Sequence, residues 1–360
     1  MRLHSLYNLG RKMEQPSTSK HAMQPLAARS PRIVISGGAG FIGSALVREL
    51  VQAGATVLVI DDLSSGRLAR LPHHPRVETL IADAGEVATW RRACAQPWDA
   101  IVHLASVVGV DCVVADPERC RAENQRGFDA LAIVLEDQGR SAGVWAASTS
   151  EVYAEQTLPL SESACLRNES QGRHAYAASK LYGEQRLAQA TQGQATLLRF
   201  FNVVGPNQSA GQGMVLPRFV ERARQGQALT IYGDGSAVRT FAHADEVARS
   251  LAWLVLRQLE GLIQVGGALN LGGAAVSSVL DMASEVQRCA GRVLGIEHLL
   301  PRMGEVHQRV PDLTRLRELG APLPSMGLSE IVADTWTRHG HWPVSLELST
   351  EEPACASLVS

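Results

Sequence analysis

The segment SGGAGFIG at residues 36–43 decides the fold class of this chain. A short β-branched run at residues 31–36 (PRIVIS) precedes the glycines, and an apolar-periodic stretch at residues 41–53 follows them and ends at Gly54. These patterns predict a strand before the glycines and a helix after them. A glycine-rich turn between a strand and a helix is the context that a dinucleotide-binding fingerprint requires. We therefore predict that this turn binds a dinucleotide.

Each glycine of the turn has a predicted function. Gly37 permits the tight turn, Gly40 lets backbone N–H groups approach a pyrophosphate, and Gly43 allows the helix to pack closely on the strand. A structural glycine turn before an ordinary helix is the alternative interpretation. The cofactor-binding residues predicted at this turn are Gly37, Gly40, Phe41, Ile42 and Gly43.

An acidic pair supports the dinucleotide hypothesis and indicates which dinucleotide is bound. A second predicted strand at residues 56–60 ends in Asp61 and Asp62, about 20 residues beyond the glycines, as the fingerprint requires. An acidic side chain at this point accepts hydrogen bonds from the adenosine ribose hydroxyls, and it repels a 2′-phosphate. We therefore expect NAD rather than NADP as the cofactor.

The next strands fit the same plan. A third strand leads into Asp83, and residues 100–105 form a buried-type strand that ends in small residues. We predict that Asp83 contacts the adenine and that Leu104 and Ala105 pack against the cofactor. Asn124 is predicted to lie near the nicotinamide half. Taken singly, Asp83 and Asn124 are also typical turn or capping residues.

A tyrosine and a lysine carry the predicted chemistry. The segment YAASK at residues 176–180 places Tyr176 and Lys180 four residues apart, which on a helix is the same face. A neighbouring ammonium favours the phenolate form of a tyrosine, so Tyr176 can remove a substrate proton. Thr149, in the upstream segment TSEVY at residues 149–153, is predicted to hydrogen-bond the same substrate oxygen. The alternative is an ordinary residue pair on a helix surface.

In this order, these motifs resemble the extended short-chain dehydrogenase/reductases, in the group of nucleotide-sugar epimerases, dehydratases and decarboxylases. The resemblance covers residues 32–337. Further matching segments are HLA (103–105), RFFNVVGP (199–206), LTIYGDG (229–235), RTF (239–241) and RVPD (309–312). The resemblance implies an α/β fold with a doubly wound parallel sheet, an NAD cofactor, and a smaller, mainly C-terminal substrate-binding domain.

The resemblance also implies a nucleotide-sugar substrate. Asn202 matches the family asparagine that contacts the sugar diphosphate, and Arg239 and Arg309 match its diphosphate arginines. Two guanidinium groups suit two phosphates. Tyr232 stands where family members place an aromatic ring against the nucleobase, often uracil. Without the family, the two arginines are interpreted as surface charges and Tyr232 as a core or turn aromatic.

The resemblance leaves three reactions open, because every enzyme of the group can begin by oxidising C4 of the sugar. Tyr176 takes the hydroxyl proton while C4 gives its hydride to NAD. The 4-ketone can then be reduced from its other face by a 4-epimerase, or lose a hydroxyl in a 4,6- or 5,6-dehydratase. A C6 carboxylate can instead leave as CO2 in a decarboxylase.

Two residues favour decarboxylation. Glu151, two residues after Thr149, resembles the acid of UDP-glucuronate decarboxylases and GDP-mannose-type dehydratases. Arg173, three residues before Tyr176, resembles decarboxylase-like members and suits a uronate carboxylate. We therefore expect a UDP-glucuronate decarboxylase-like enzyme; the alternative is that Glu151 and Arg173 pair with each other or with solvent. Ala154 replaces a family glycine, and its methyl group is expected to narrow the sugar pocket.

A hypothesis from another class is an NAD-binding pseudoenzyme that acts as a sensor or scaffold. Such proteins usually lose the tyrosine–lysine pair or the diphosphate arginines. This chain keeps Tyr176, Lys180, Arg239 and Arg309, so we favour an enzyme.

Composition excludes several other classes. The 360 residues are 45% hydrophobic and carry a formal net charge of −2, which gives no basic field for nucleic acid. Six scattered cysteines predict free thiols and a cytoplasmic location. The eleven histidines form no ligand motif, so we expect no metal. No run approaches the roughly 18 apolar residues of a membrane span.

The expected organisation is two interleaved domains. The NAD-binding domain is predicted at 31–205, completed by about 236–272, and the substrate domain at 206–235 and 273–345. A disordered extension at 1–30 and a loose tail at 346–360 are expected to flank them. Substrate is expected in the cleft at the carboxyl ends of the strands. The helices predicted near 119–138 and 178–192 resemble those that form a dimeric four-helix contact in relatives, so we expect a homodimer.

Overall fold

The computed structural model describes residues 30–140, 143–301 and 307–340. The strands in these ranges are β1 (Arg32–Ser36), β2 (Thr56–Asp61), β3 (Val77–Ile81), β4 (Ala100–His103), β5 (Val144–Thr149), β6 (Thr196–Phe201), β7 (Val203–Val204), β8 (Leu229–Tyr232), β9 (Val238–Thr240), β10 (Ala242–His243), β11 (Gly267–Gly272), β12 (Val276–Ser278), β13 (Ile296–Leu299) and β14 (Gln308–Arg309). The helices are α1 (Phe41–Gln52), α2 (Val87–Ala93), α3 (Val110–Ala115), α4 (Pro117–Gln138), α5 (Ala175–Ala190), α6 (Val215–Arg224), α7 (Ala244–Leu259), α8 (Val279–Ala290), α9 (Thr314–Glu318) and α10 (Leu328–Arg338).

Seven parallel strands form the main sheet, in the order β11-β6-β5-β4-β1-β2-β3. From β1 the chain first winds outward through β2 and β3, and it then returns to β4 on the other side of β1. The crevice between β1 and β4 is therefore the topological switch point at which doubly wound sheets bind ligands. The predicted fold class, a doubly wound α/β fold, is confirmed.

The main sheet is covered on both faces, which explains its continuous apolar strands. In β1, Ile33 and Ile35 pack into one core layer with α1 and α7, whereas Val34 packs into the opposite layer with α2, α4 and α5. Helix α7 and strand β11 come from late in the chain, yet they complete the first layer and the sheet edge. The main sheet and its first layer are thus built from two separate stretches of sequence.

A third core lies beside the carboxyl edge of the sheet. Helices α6, α8 and α10 pack there around β8. Short strand pairings accompany this core: β9 pairs with β12 and β14, and β8 pairs with β13. The predicted division of the chain into an NAD-binding and a substrate domain stays a prediction.

The element bounds differ from the predicted ones by few residues. The strand predicted at 100–105 ends at His103, because the chain turns toward the glycine segment, where Leu104 N donates to Ser36 O at 3.0 Å. The predicted extension and tail lie outside the described residues, Ser30 excepted. None of the helices in the described ranges is long and apolar enough to cross a membrane.

Candidate active site

The glycine turn leaves no room for side chains. Gly37 has a φ of +71°, and a Cβ there would lie 2.7 Å from the backbone N of Ala105. A Cβ on Gly43 would lie 2.1 Å from the carbonyl oxygen of Gly37. Only glycine fits these two positions, and the close approach of the backbone segments leaves a shallow cradle at the switch point.

The N-terminus of α1 faces this cradle. Phe41 and Ile42 open the helix, and its N-cap Gly40 offers no side-chain acceptor to the first helical N–H groups. The first turn contains no acidic residue. Because these N–H groups lack an acceptor and the helix dipole favours negative charge, the cradle fits a pyrophosphate.

We expect Gly43→Ala to weaken NAD binding by at least about tenfold, since one tenfold step needs only about 1.4 kcal/mol. The added methyl group would displace the backbone of Gly37 from the helix. Titration calorimetry with NAD measures the effect. Gly295→Ala is a matched control, because its Cβ would meet Ala228 Cβ at an ordinary 3.5 Å. Unchanged NAD affinity in Gly43→Ala would show that the pyrophosphate binds elsewhere.

The two aspartates at the end of β2, Asp61 and Asp62, have different surroundings. The buried carboxylate of Asp61 accepts hydrogen bonds from Ala39 N and Leu63 N, both at 2.9 Å, which ties it to the glycine turn. Burial raises the pKa of Asp61, and the two hydrogen bonds only partly offset this increase. A carboxylate has about four lone-pair sites, so two remain for ribose hydroxyls. Asp62 is exposed and accepts from Ser64 N at 2.9 Å, which caps the following loop.

Asp83 is held by partners within the chain. It accepts from Gly85 N and pairs with Arg126, each at 2.6 Å. Burial opposes the charge, but the hydrogen bonds from Gly85 and Arg126 outweigh it and lower the Asp83 pKa. Asp83 thus reaches the cofactor edge of the sheet already paired, and its contact with adenine stays a prediction.

Asn124 is buried, and its whole amide is engaged. Its Oδ1 accepts from Val107 N at 2.7 Å and from the Ser106 hydroxyl at 3.0 Å. Its Nδ2 donates to Val107 O and to Ser179 Oγ, both at 3.1 Å. Asn124 therefore fastens the loop after β4 to α5, and its predicted contact near the nicotinamide stays a prediction.

Tyr176 and Lys180 share one face of α5, one turn apart. The Lys180 Nζ lies 5.6 Å from the centroid of the Tyr176 ring. Burial lowers the Lys180 pKa to about 8. Burial, followed by the charge of Glu151, raises the pKa of Tyr176 above its usual range, and a hydrogen bond with Ser106 opposes this. NAD, when bound, supplies a hydride acceptor and a positive nicotinamide ring that favours the phenolate.

Thr149 and Glu151 end β5 beside this pair. The Thr149 hydroxyl oxygen accepts from Glu151 N at 3.2 Å and caps the short 3₁₀ turn over Ser150–Val152. This turn aims the Glu151 side chain into a cavity that Tyr176 also lines. The Glu151 carboxylate therefore lines the cavity, and the buried Thr149 hydroxyl lies outside the lining.

The cavity has a volume of about 250 Å³ and lies between the carboxyl edge of the main sheet and the third core. Seven residues predicted for catalysis or substrate binding line it: Glu151, Arg173, Tyr176, Asn202, Tyr232, Arg239 and Arg309. Thr149 and Lys180 lie outside the lining, both buried. Apolar side chains such as Val113 and Phe219 form most of the remaining wall.

The arginines make the cavity strongly positive. Arg239 and Arg309 are register partners on the parallel strands β9 and β14. Burial lowers the Arg309 pKa to about 10. The carboxylate of Glu151 raises this pKa, whereas the positive charges of Arg239 and Arg173 lower it further. Such crowding of cations around one carboxylate suits a ligand with several negative charges.

Sequence reasoning missed two residues of the site, Ser106 and Arg218. Ser106, which hydrogen-bonds the Tyr176 phenol, directly follows the predicted Ala105 and could have been found by extending that motif. Arg218 lines the cavity and pairs with Asp111 at 2.8 Å, across 107 residues of sequence. No local pattern links two residues so far apart.

Comparisons with known proteins agree with this geometry. Residues 33–272 match the NAD dependent epimerase/dehydratase family. The chain is 29% identical over 329 residues to the UDP-N-acetyl-alpha-D-glucosaminuronate decarboxylase of Bacillus cytotoxicus, covering 85% of this chain and 98% of the relative. It is 30% identical over 318 residues to the UDP-glucose 4-epimerase of Azospirillum brasilense, covering 82% and 88%.

Solved structures agree as well. A dTDP-glucose 4,6-dehydratase from Streptomyces venezuelae, solved with NAD and TYD bound, superposes with a TM-score of 0.75 at 29% identity. The match covers 86% of this chain and 98% of that one. Together the similarities support NAD as the cofactor and a nucleotide sugar as the substrate class.

Proposed function

The chain belongs to the NAD dependent epimerase/dehydratase family, and we propose that it is a decarboxylase of nucleotide hexuronates, with UDP-glucuronate as the first candidate substrate. Transient oxidation at C4 of the sugar begins the proposed reaction. The enzyme class is common to the relatives, which are decarboxylases, epimerases and dehydratases of nucleotide sugars.

One observation carries the choice of a hexuronate: three arginines, Arg173, Arg239 and Arg309, line the same cavity as Glu151 and Tyr176. The diphosphate of a nucleotide sugar matches two guanidinium groups, Arg239 and Arg309. Arg173 lies in the short 3₁₀ turn directly before α5, three residues before Tyr176. A third cation next to the reacting end of the sugar suits a C6 carboxylate.

Each residue has a proposed step. Tyr176 takes the C4 hydroxyl proton as the hydride leaves C4, and Thr149 holds the same oxygen. The product is a β-keto acid, whose C5–C6 bond breaks and releases CO2 while its electron pair forms an enolate. Glu151 delivers a proton to C5, and return of the hydride to C4 with reprotonation by Tyr176 completes a pentose.

Two other reactions use the same first step. A 4-epimerase is favoured by the 30% identical relative, but such an enzyme has no use for the carboxylate of Glu151 beside Tyr176. A 4,6- or 5,6-dehydratase would use Glu151 to remove the C5 proton, without needing Arg173. The NAD-binding pseudoenzyme needs neither residue.

Mass spectrometry of the products distinguishes these reactions. Purified protein with NAD is incubated with UDP-glucuronate, UDP-glucose, UDP-N-acetylglucosamine and their GDP and dTDP counterparts. Loss of the mass of one CO2 from a hexuronate supports the proposal, and loss of one water indicates a dehydratase. A new chromatographic peak of unchanged mass indicates an epimerase. No conversion of any sugar would favour the pseudoenzyme.

We expect Arg173→Met to weaken binding of UDP-glucuronate by roughly 10- to 100-fold, because a hydrogen bond to a charged group contributes about 1.5–3 kcal/mol. Binding of UDP-glucose, which lacks the carboxylate, should change by less than about threefold. Calorimetric titration of both ligands measures this selectivity. Arg257→Met, at an exposed arginine of α7 paired with Glu260, controls for loss of positive charge. Equal losses for both ligands would contradict the hexuronate proposal.

We also propose a cytoplasmic homodimer. Helices α4 and α5 pack along each other, and their outer face carries Ile133 with an exposure of 36%. The five described cysteines are free thiols, which suits a reducing compartment. Light scattering coupled to size-exclusion chromatography gives the oligomeric state.

A further inference from the structure

Lys180 is unusually isolated for a charged group. The chain contains three lysines, Lys12, Lys20 and Lys180, and only Lys180 lies in the described ranges. Its side chain is 1% exposed. No carboxylate among the described residues forms an ion pair with it. Removal of an ammonium from water without a counterion is costly, so something else within the fold must stabilise it.

Two aromatic rings approach the Lys180 ammonium. Its Nζ lies 5.3 Å from the centroid of the Phe128 ring and 5.6 Å from that of the Tyr176 ring. Both distances are within the range of about 6 Å in which the negative face of a ring attracts a cation. The ring of Tyr176 belongs to the reacting residue, whereas Phe128 comes from α4 and has no part in the proposed proton transfers.

The Phe128 ring is fixed from behind. His103 meets it edge-on, with ring centroids 5.0 Å apart and an interplanar angle of 79°. Gly183, one turn beyond Ser179 on α5, lies so close that a Cβ would come within 2.2 Å of the ring. The edge of His103 and the close backbone of Gly183 therefore hold the ring beside Lys180.

We propose that Phe128 is a positioning residue: its ring holds the Lys180 ammonium against the face of Tyr176. The proposal builds on the tyrosine–lysine chemistry of the proposed function. It predicts that weakening the ring's electron density destabilises the charged form of Lys180, so Lys180 loses its proton at lower pH.

The groups that surround Lys180 allow a clean measurement. The titratable groups that face it are Cys120 from α4, His103 at the end of β4, and Tyr176 from its own helix. Burial lowers the His103 pKa to about 3 and raises the Cys120 pKa to about 11. Burial also raises the pKa of Tyr176. None of the three changes charge where Lys180 titrates, with a pKa of about 8.

The experiment observes Lys180 by NMR in the full chain labelled with ¹³C at lysine Cε. At most three signals are expected, and Lys12→Arg and Lys20→Arg identify the other two. Pentafluorophenylalanine at position 128 keeps the ring's shape but reverses the charge of its face. We expect the Lys180 titration to move down by about one pH unit. The same replacement at Phe201, which packs near Tyr153, should leave it unchanged.

An unchanged Lys180 titration in the fluorinated protein would overturn the proposal. The NMR readout needs no substrate, so it separates this proposal from the proposed function. If the enzyme is active, Phe128→Leu should also shift the alkaline limb of kcat/KM to lower pH. A purely structural role would reduce activity without moving that limb, and this outcome would likewise contradict the proposal.

Discussion

Tyr176→Phe is expected to lower kcat by about 10³-fold, because general acid–base groups contribute about 10²–10⁴-fold to rates. The substitution removes a single hydroxyl group from a residue that lines the cavity beside Glu151. The ring remains, so its packing on α5 and its contact with Lys180 persist. The free energy of unfolding and the NAD affinity should therefore stay close to those of the parent protein. Steady-state kinetics on the substrate found by mass spectrometry, with calorimetry for NAD, measures these effects.

Tyr182→Phe is the matched control on the same helix. Its hydroxyl donates to Asp129 of α4 at 2.7 Å. Loss of this half-buried hydrogen bond should leave kcat within about twofold of the parent value. If Tyr176→Phe retains most of the parent rate, the proton transfer assigned to Tyr176 is wrong. If both variants lose activity equally, the effect comes from α5 as a whole.

Arg199→Met is expected to destabilise the fold by about 3–5 kcal/mol, the usual cost of removing one partner from a buried ion pair. Arg199 on β6 and Glu184 on α5 pair at 2.7 Å, with side-chain exposures of 4% and 9%. Burial opposes the charge of Arg199, but the hydrogen bonds and charge of Glu184 outweigh it and raise the Arg199 pKa. Ser148 donates to the same carboxylate at 2.5 Å. Denaturant unfolding measures the loss.

The structural consequence extends to the site, because this pair neighbours residues with a proposed catalytic role. Ser148 precedes Thr149 on β5, and Glu184 follows Lys180 by one turn of α5. The double variant Arg199→Met/Glu184→Leu should recover part of the lost stability, since no unpaired charge remains buried. The exposed pair Arg288–Glu285 provides a control, with an expected cost below about 1 kcal/mol for Arg288→Met. A similar small cost for Arg199→Met would refute the proposed role of the buried pair.

Much of the cofactor half was predictable, because its signals are local. The glycine turn depends on backbone conformation and close approach within a few residues, and Gly37 and Gly43 lie where only glycine fits. Asp61 ends a strand whose length fixes its position at the sheet edge. The helix spacing placed Tyr176 and Lys180 on one face. In each case the sequence interval itself determines the geometry.

Other features depend on contacts between distant segments. The amide of Asn124 holds Val107 and Ser179, which lie 17 and 55 residues away in the sequence. Phe128 belongs to no sequence motif. Its ring comes close to Lys180 only because α4 packs on α5.

The sequence by itself determined the doubly wound sheet, the glycine turn and the tyrosine–lysine pair, because periodicity, glycine conformation and helix spacing are properties of neighbouring residues. Only the tertiary structure decided which charges share one cavity. Arg309 meets Glu151 because β14 pairs with β9 while Glu151 follows β5 at the edge of the main sheet. The order of the strands and the packing of the third core bring these two residues together, and no local sequence pattern predicts either feature.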